Sequence, residues 1–176
     1  MLLAAGSVSL LTSSSFASNK RTDVITLTEE QKDRLFFIYQ EEKVARDVYI
    51  YLSKLYPLES TFASIQLSEQ RHIDAAEKLC VKHNVDISMI EENDCGYFEV
   101  PYLQDLYDKC IGMGSECLLD ALNVGVLIEE TDIGTLTESI TSMDMPDDII
   151  HTYELLREGS YNHLESYQAA VARELS

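Results

Sequence analysis

Four stretches of this chain each carry an apolar helical seam interrupted by an ionisable residue. The first seam runs Leu35, Ile38, Glu42, Ala45, Tyr49 and Leu52, and the second Phe62, Ile65, Glu69, His72, Ala76 and Leu79. The third runs Leu119, Leu122, Val126, Glu129, Ile133, Leu136 and Ile140, with Asp132 close to the same face. The fourth runs Ile149, Tyr153, Leu156, Ser160, His163, Tyr167 and Ala170. Spacings of three and four place each set on one face of a helix, and an apolar face turns inward. A buried carboxylate without compensation costs several kcal/mol. One Glu-x-x-His pair, such as Glu69 and His72, is common on solvated faces and means little alone. Interruptions at mid-height on four inward seams are hard to explain unless the groups meet, and a metal ion is a common compensation for Glu-x-x-His in a bundle core.

The breaks between the seams set the topology. With only 3 Pro and 7 Gly in 176 residues, long helices are favoured. Thr28-Glu29-Glu30-Gln31 has the form of a capping box, and the first helix ends before Pro57. Ser60 is the expected cap of a second helix over about 61–83. Residues 84–115 break the pattern, with turn chemistry at Asn93-Asp94-Cys95-Gly96, a short helix from Val100 to Cys110 and a break at Gly112 to Ser115. Two further helices follow, over about 116–141 and, after Pro146, about 147–174. A short–long–short order of connections predicts an all-α four-helix bundle with a long crossover between helices 2 and 3. Glu41, Arg46, Asp47 and His151 fall off the seams and are expected in solvent, and His83 is expected as a cation near a helix C-terminus. Glu130 is the alternative to Glu129 if the third helix is slightly rotated.

A net charge of −18 argues against a nucleic-acid partner, because phosphate binding needs a basic surface. It is compatible with attracting cations. Met1 to Ala17 carry no charge, and Ser15-Phe16-Ala17-Ser18 has the form of a small-residue cleavage site. Residues 1–24 therefore read as a signal peptide that lacks the usual basic residue near Met1, or else as a disordered tail, with one domain over 25–176. The signal-peptide reading implies a periplasmic or extracellular location, in which Cys80, Cys95, Cys110 and Cys117 are disulfide candidates. Nearest-neighbour pairing, Cys80–Cys95 and Cys110–Cys117, would staple the crossover; in a reducing compartment the four are free thiols.

These residues resemble the ferritin-like superfamily, rubrerythrin in particular. Glu42 to Tyr49 is similar to its first-helix Glu-x-x-Ala-Arg-x-x-Tyr, Glu69 to His72 to its second-helix Glu-x-x-His, and Glu129 to Asp132 to a third helix with two carboxylates. More closely, Leu35 to Tyr167 resembles the uncharacterised DUF2202 domain family, through the runs at 41–49, 68–72, 128–133 and 159–164. The resemblance implies a ferritin-like four-helix bundle with a di-metal centre held by Glu42, Glu69, His72, Glu129, Asp132 and His163. In this scheme Glu42 and His72 serve one ion, Glu69 bridges, and Glu129, Asp132 and His163 serve the other. Tyr49 and Tyr167 are expected to hydrogen-bond the ligating carboxylates, or else to be ordinary core aromatics. The fourth helix departs from the pattern: Ser160 stands where a bridging carboxylate is expected. That leaves three arrangements open: Asp132 as substitute, a single ion, or two unlike ions.

Carboxylates with imidazoles suit iron, with manganese or zinc as alternatives. The resemblance implies reduction of peroxide or oxygen, or ferroxidase activity. No paired Cys-x-x-Cys motifs are present, so electrons would come from a separate donor. A non-enzymatic bundle with a structural ion or a protein-binding role is the rival class. The sequence shows no surface suited to a storage cage and is compatible with a homodimer.

Overall fold

The computed structural model describes residues 26–91 and 94–176. It contains five helices: α1 (Glu29–Leu55), α2 (Ser60–Lys82), α3 (Pro101–Gly114), α4 (Leu118–Ser142) and α5 (Asp147–Glu174). The described residues contain no strand. α1 packs along α2, and α4 along α5; the two hairpins meet through α1 on α4 and α2 on α5. The arrangement is four-helix-bundle-like, with α3 of the long crossover laid over α1 and α4. The expected signal peptide lies outside the described residues.

Helix ends follow local chemistry. At α1, Gln31 N donates to Thr28 Oγ1 (3.2 Å) while Thr28 N donates to Gln31 Oε1 (2.8 Å), which closes the capping box. α2 is capped by Glu59 and not by Ser60: Thr61 N donates to Glu59 Oε1 at 2.9 Å, and Arg173 from the end of α5 pairs with the same carboxylate. α3 runs past Cys110 and Gly112 and ends at Gly114, with Ser115 as its C-cap, within the expected break. Gly114 is also a point of close approach, since a Cβ there would lie 2.8 Å from Leu52 Cδ2. His83, expected only to complement the helix end, also has a partner: its Nε2 lies 2.8 Å from Asp148 Oδ2 and ties the end of α2 to the start of α5.

The inward residues form two apolar clusters. One contains Val44, Ala45, Tyr49, Phe62, Ile65, Ile128 and Tyr167, and the other Leu35, Ile38, Ile73, Ala76, Leu136, Tyr153 and Leu156. On every helix of the bundle the interrupting residues fall between the two clusters: Glu42 between Ile38 and Ala45, Glu69 and His72 between Ile65 and Ile73, Glu129 and Asp132 between Ile128 and Leu136, Ser160 and His163 between Leu156 and Tyr167. The core is thus an apolar–polar–apolar stack.

Three residues expected in solvent are buried. Arg46 and Asp47 are covered because the crossover docks on the outer side of α1. Asp47 Oδ2 accepts from Lys43 Nζ (2.7 Å) and from Gly96 N (3.1 Å), while Lys43 Nζ also donates to Asp94 O (2.8 Å). Gln40 Oε1 accepts from Glu99 N at 2.8 Å, and Arg46 reaches Gln70 on α2 at 2.7 Å. Lys43 itself is fully enclosed, its ammonium 4.6 Å from the Phe98 ring centre. Glu41 is buried against α4, where Thr135 Oγ1 donates to its Oε1 at 3.1 Å.

The disulfides expected between Cys80 and Cys95 and between Cys110 and Cys117 are not formed, and all four cysteines are free thiols. Cys80 and Cys110 are enclosed in the two apolar clusters while Cys95 and Cys117 are exposed, so each expected pair would have to join a core side chain to a surface one.

Candidate metal centre

Glu69 is the hub of the polar layer. Its Oε2 lies 3.1 Å from His72 Nδ1, one helical turn on along α2, and its Oε1 lies 2.8 Å from His163 Nδ1 of α5. Glu69, His72 and His163 each offer a ligand atom within 4.8 Å of the others, and all three are buried. The two imidazole rings stack with centroids 5.2 Å apart. Glu42 of α1 joins through its Oε2, 3.1 Å from His72 Nδ1, and Glu129 of α4 through its Oε2, 3.5 Å from His163 Nδ1. All four bundle helices therefore contribute.

The groups just outside point the acids. Tyr49 OH donates to Glu129 Oε1 at 2.6 Å, and Ser160 Oγ donates to Asp132 Oδ2 at 2.5 Å. The Tyr167 hydroxyl has no hydrogen-bond partner; its ring packs against Tyr49 (5.1 Å) and Phe62 (5.7 Å). Glu129 faces the core and Glu130 faces solvent, but Leu119, Val126, Ile133 and Ile140 of the expected seam are only half-buried, and the inward line runs nearer Ala121, Gly125, Ile128 and Asp132. His151 is exposed.

The layer carries more acid than base. Glu41, Glu42, Glu69, Glu129 and Asp132 are all buried, against two imidazoles. Even with both imidazoles protonated, five less two leaves three carboxylates unmatched. The other buried cations, Lys43 and Arg46, are held by Asp47. Burial raises Glu129 to about 7, helped by the charge of Glu69, and raises Glu41 to about 8, helped by Glu42. Burial also raises Asp132 well above the usual carboxylate range, with Glu42 and Glu41 adding to it, and raises Glu42 despite His72. Glu69 goes the other way: burial pushes it up, but imidazoles on both sides outweigh this and hold it at about 2. In return the surrounding acids overcome burial at the imidazoles and hold His72 at about 11 and His163 at about 9.

A cation fits this donor set. Glu69 Oε1 and His163 Nδ1 are close but not aligned for a hydrogen bond, and the one further approach to His163 Nδ1 is that of Glu129 Oε2 at 3.5 Å. Glu42 Oε1 and Asp132 Oδ1 are also buried without a partner. A buried lone pair without a donor is costly, and a divalent ion satisfies several at once.

Three further residues shape the layer. Glu41 gave no periodic signal, because it lies between the seam and the solvent side of α1. Gly159 makes room for His72: a Cβ there would lie 2.5 Å from Nε2 and 2.8 Å from Cε1. Gly125 does the same for Tyr167, whose ring would collide with a Cβ at that position. The legible signal for both glycines is their place inside a long helix, where Gly costs about 1 kcal/mol relative to Ala.

A family profile described as an uncharacterized protein domain, DUF2202, matches residues 31–174. The chain is 38% identical over 141 residues to the uncharacterized protein MJ0754 of Methanocaldococcus jannaschii, a match spanning 80% of this chain and 75% of that protein. The crystal structure of hypothetical protein MJ0754 from Methanococcus jannaschii is similar with a TM-score of 0.81 at 35% identity, covering 86% of this chain and 85% of that one.

Proposed function

The chain belongs to the DUF2202 domain family, and from its buried acid–imidazole layer we propose that it is a ferritin-like metalloprotein with a di-metal, iron-containing centre that reduces peroxide or oxygen. The observation that carries this reading is Glu69 set between two imidazoles from different helices, with Glu42 and Glu129 flanking them.

Glu69, His72 and His163 would hold one ion with Glu129 beside them, and Glu42 would serve the second. Mixed oxygen and imidazole donors suit iron, then manganese or zinc. Iron held there would supply the redox chemistry for peroxide reduction, H2O2 + 2 H+ + 2 e− giving 2 H2O, with a separate reduced electron-transfer protein as the source of both electrons. The chain's own part is to keep the pocket in place. Tyr49 fixes the orientation of Glu129, and Gly159 lets His72 turn Nδ1 toward Glu42 and Glu69. The apolar clusters above and below exclude water, while both imidazoles keep a small exposed edge, 11% and 9% of their side chains, through which a molecule as small as peroxide is able to approach.

The test is reconstitution with Fe(II), followed by metal analysis and peroxide consumption with a reductant present. Two ions per chain are expected, and Glu69→Gln should lose both metal and turnover. Fewer than one ion per chain, or turnover indifferent to Glu69→Gln, overturns the proposal. Binding without turnover leaves a structural ion in a non-enzymatic bundle.

A further inference from the structure

The Glu69 hub does not account for all the buried acid. Glu41 on α1 and Asp132 on α4 are each 4% exposed, and each has one oxygen fixed by a hydroxyl, Thr135 for Glu41 and Ser160 for Asp132. The second oxygen of each, Glu41 Oε2 and Asp132 Oδ1, is enclosed without a partner, as is Glu42 Oε1, whose companion oxygen is turned to His72. Thr135 lies one helical turn beyond Asp132 on α4, so the hydroxyl that holds Glu41 draws it to the same stretch of that helix. Three carboxylates thus each present one unpartnered buried oxygen, on a side of the layer with no imidazole among their hydrogen-bond partners except His72. Among the cations nearby, Lys43 is bound by Asp47, and Arg34, whose charge reaches Glu41, makes its ion pair with Glu138 near the surface.

We propose that Glu41, Glu42 and Asp132 form an all-oxygen position for a hard divalent cation beside the imidazole-bearing one, with Glu41 supplying the carboxylate that Ser160 lacks. The inference rests on the metal-centre reading above and makes the two positions chemically unlike. The three acids stand further apart than Glu69, His72 and His163, the one group of described residues with ligand atoms within 4.8 Å of one another. Like-charged groups separate, and the flexible Glu41 and Glu42 side chains have the reach to close on a cation. Oxygen-only donors favour Mn(II) or Mg(II), whereas imidazole donors favour Fe(II), Co(II) or Zn(II).

The full chain, stripped of metal, is titrated with Co(II), read by its visible bands, and with Mn(II), read by the paramagnetic resonance of the free ion. Glu41→Gln is nearly isosteric, so the helical circular dichroism spectrum should persist. Its Mn(II) affinity should fall by at least about tenfold while Co(II) affinity and bands stay unchanged; Thr135→Val, which only releases Glu41, should show a smaller loss in the same direction. His163→Ala should show the reverse, losing Co(II) first. Unchanged Mn(II) binding in Glu41→Gln, or Mn(II) and Co(II) competing for a single position, overturns the inference and leaves the imidazole-bearing position standing. Absence of binding by either ion in the unsubstituted protein overturns the metal-centre reading itself.

Discussion

Gly159→Ala separates a packing role from a site role, because two opposing effects of known size act at one position. Replacing a helix-interior Gly by Ala ordinarily stabilises by about 1 kcal/mol. Gly134 on α4 provides that baseline: a Cβ there meets nothing within 4 Å, and Gly134→Ala should raise stability by about 0.5–1 kcal/mol. At Gly159 the new Cβ would lie 2.5 Å from His72 Nε2, where ordinary contact begins at 3.4 Å, so the ring must retreat by 3.4 − 2.5 = 0.9 Å. It has little room, since it stacks on His163 at 5.2 Å and its Nδ1 lies 3.1 Å from both Glu42 and Glu69. A shift of that size takes both contacts out of hydrogen-bonding geometry, whether it draws the ring from the carboxylates or presses it against them. Overpacking costs about 1–3 kcal/mol, and a lost charge-assisted hydrogen bond about 1.5–3 kcal/mol. These terms outweigh the helix gain, so Gly159→Ala should be net destabilising by about 1–3 kcal/mol in urea denaturation at pH 7. Its Co(II) affinity should fall by about tenfold or more, with Gly134→Ala unchanged. A Gly159→Ala protein as stabilised as Gly134→Ala, with the same Co(II) affinity, would refute the argument that this glycine exists to seat His72.

The remaining predictions concern the crossover and the thiols. Asp47→Ala strands the buried Lys43 ammonium and releases Gly96 N, so it should cost about 3–5 kcal/mol in urea denaturation and speed amide exchange at Gly96; a loss below about 1 kcal/mol would show the latch to be dispensable. Burial pushes the Cys80 thiol up to about 12 and the Cys110 thiol up to about 11, so both stay protonated at pH 8, and a thiol reagent should label Cys95 and Cys117 quickly and the other two only on unfolding. Four fast thiols would place Cys80 and Cys110 outside the core.

The inward faces of α1, α2 and α5 were legible because a period of 3.6 residues is written into the order of the side chains, and Leu35 to Leu52 or Ile149 to Ala170 needed no tertiary information. Glu129 could be favoured over Glu130 for the same reason. The face of α1 toward the crossover was not legible. Gln40, Lys43 and Asp47 are polar at spacings of three and four, and on period alone such a stripe is a solvated one. What buries it is the backbone of Asp94, Gly96 and Glu99, whose amides and carbonyls are invisible as a pattern of side chains. A buried backbone must find hydrogen-bond partners, so a long irregular crossover requires a polar stripe somewhere on the helices it covers. The Gln40–Lys43–Asp47 stripe and the irregular stretches 84–91 and 94–100 are thus two halves of one requirement. The same logic applies to the helix-interior glycines. Periodicity reports what a residue's own side chain prefers, whereas Gly125 and Gly159 are set by the space that Tyr167 and His72 occupy on neighbouring positions. Their helix-propensity cost was visible in the sequence, but the neighbours that demand it come together only once the bundle closes.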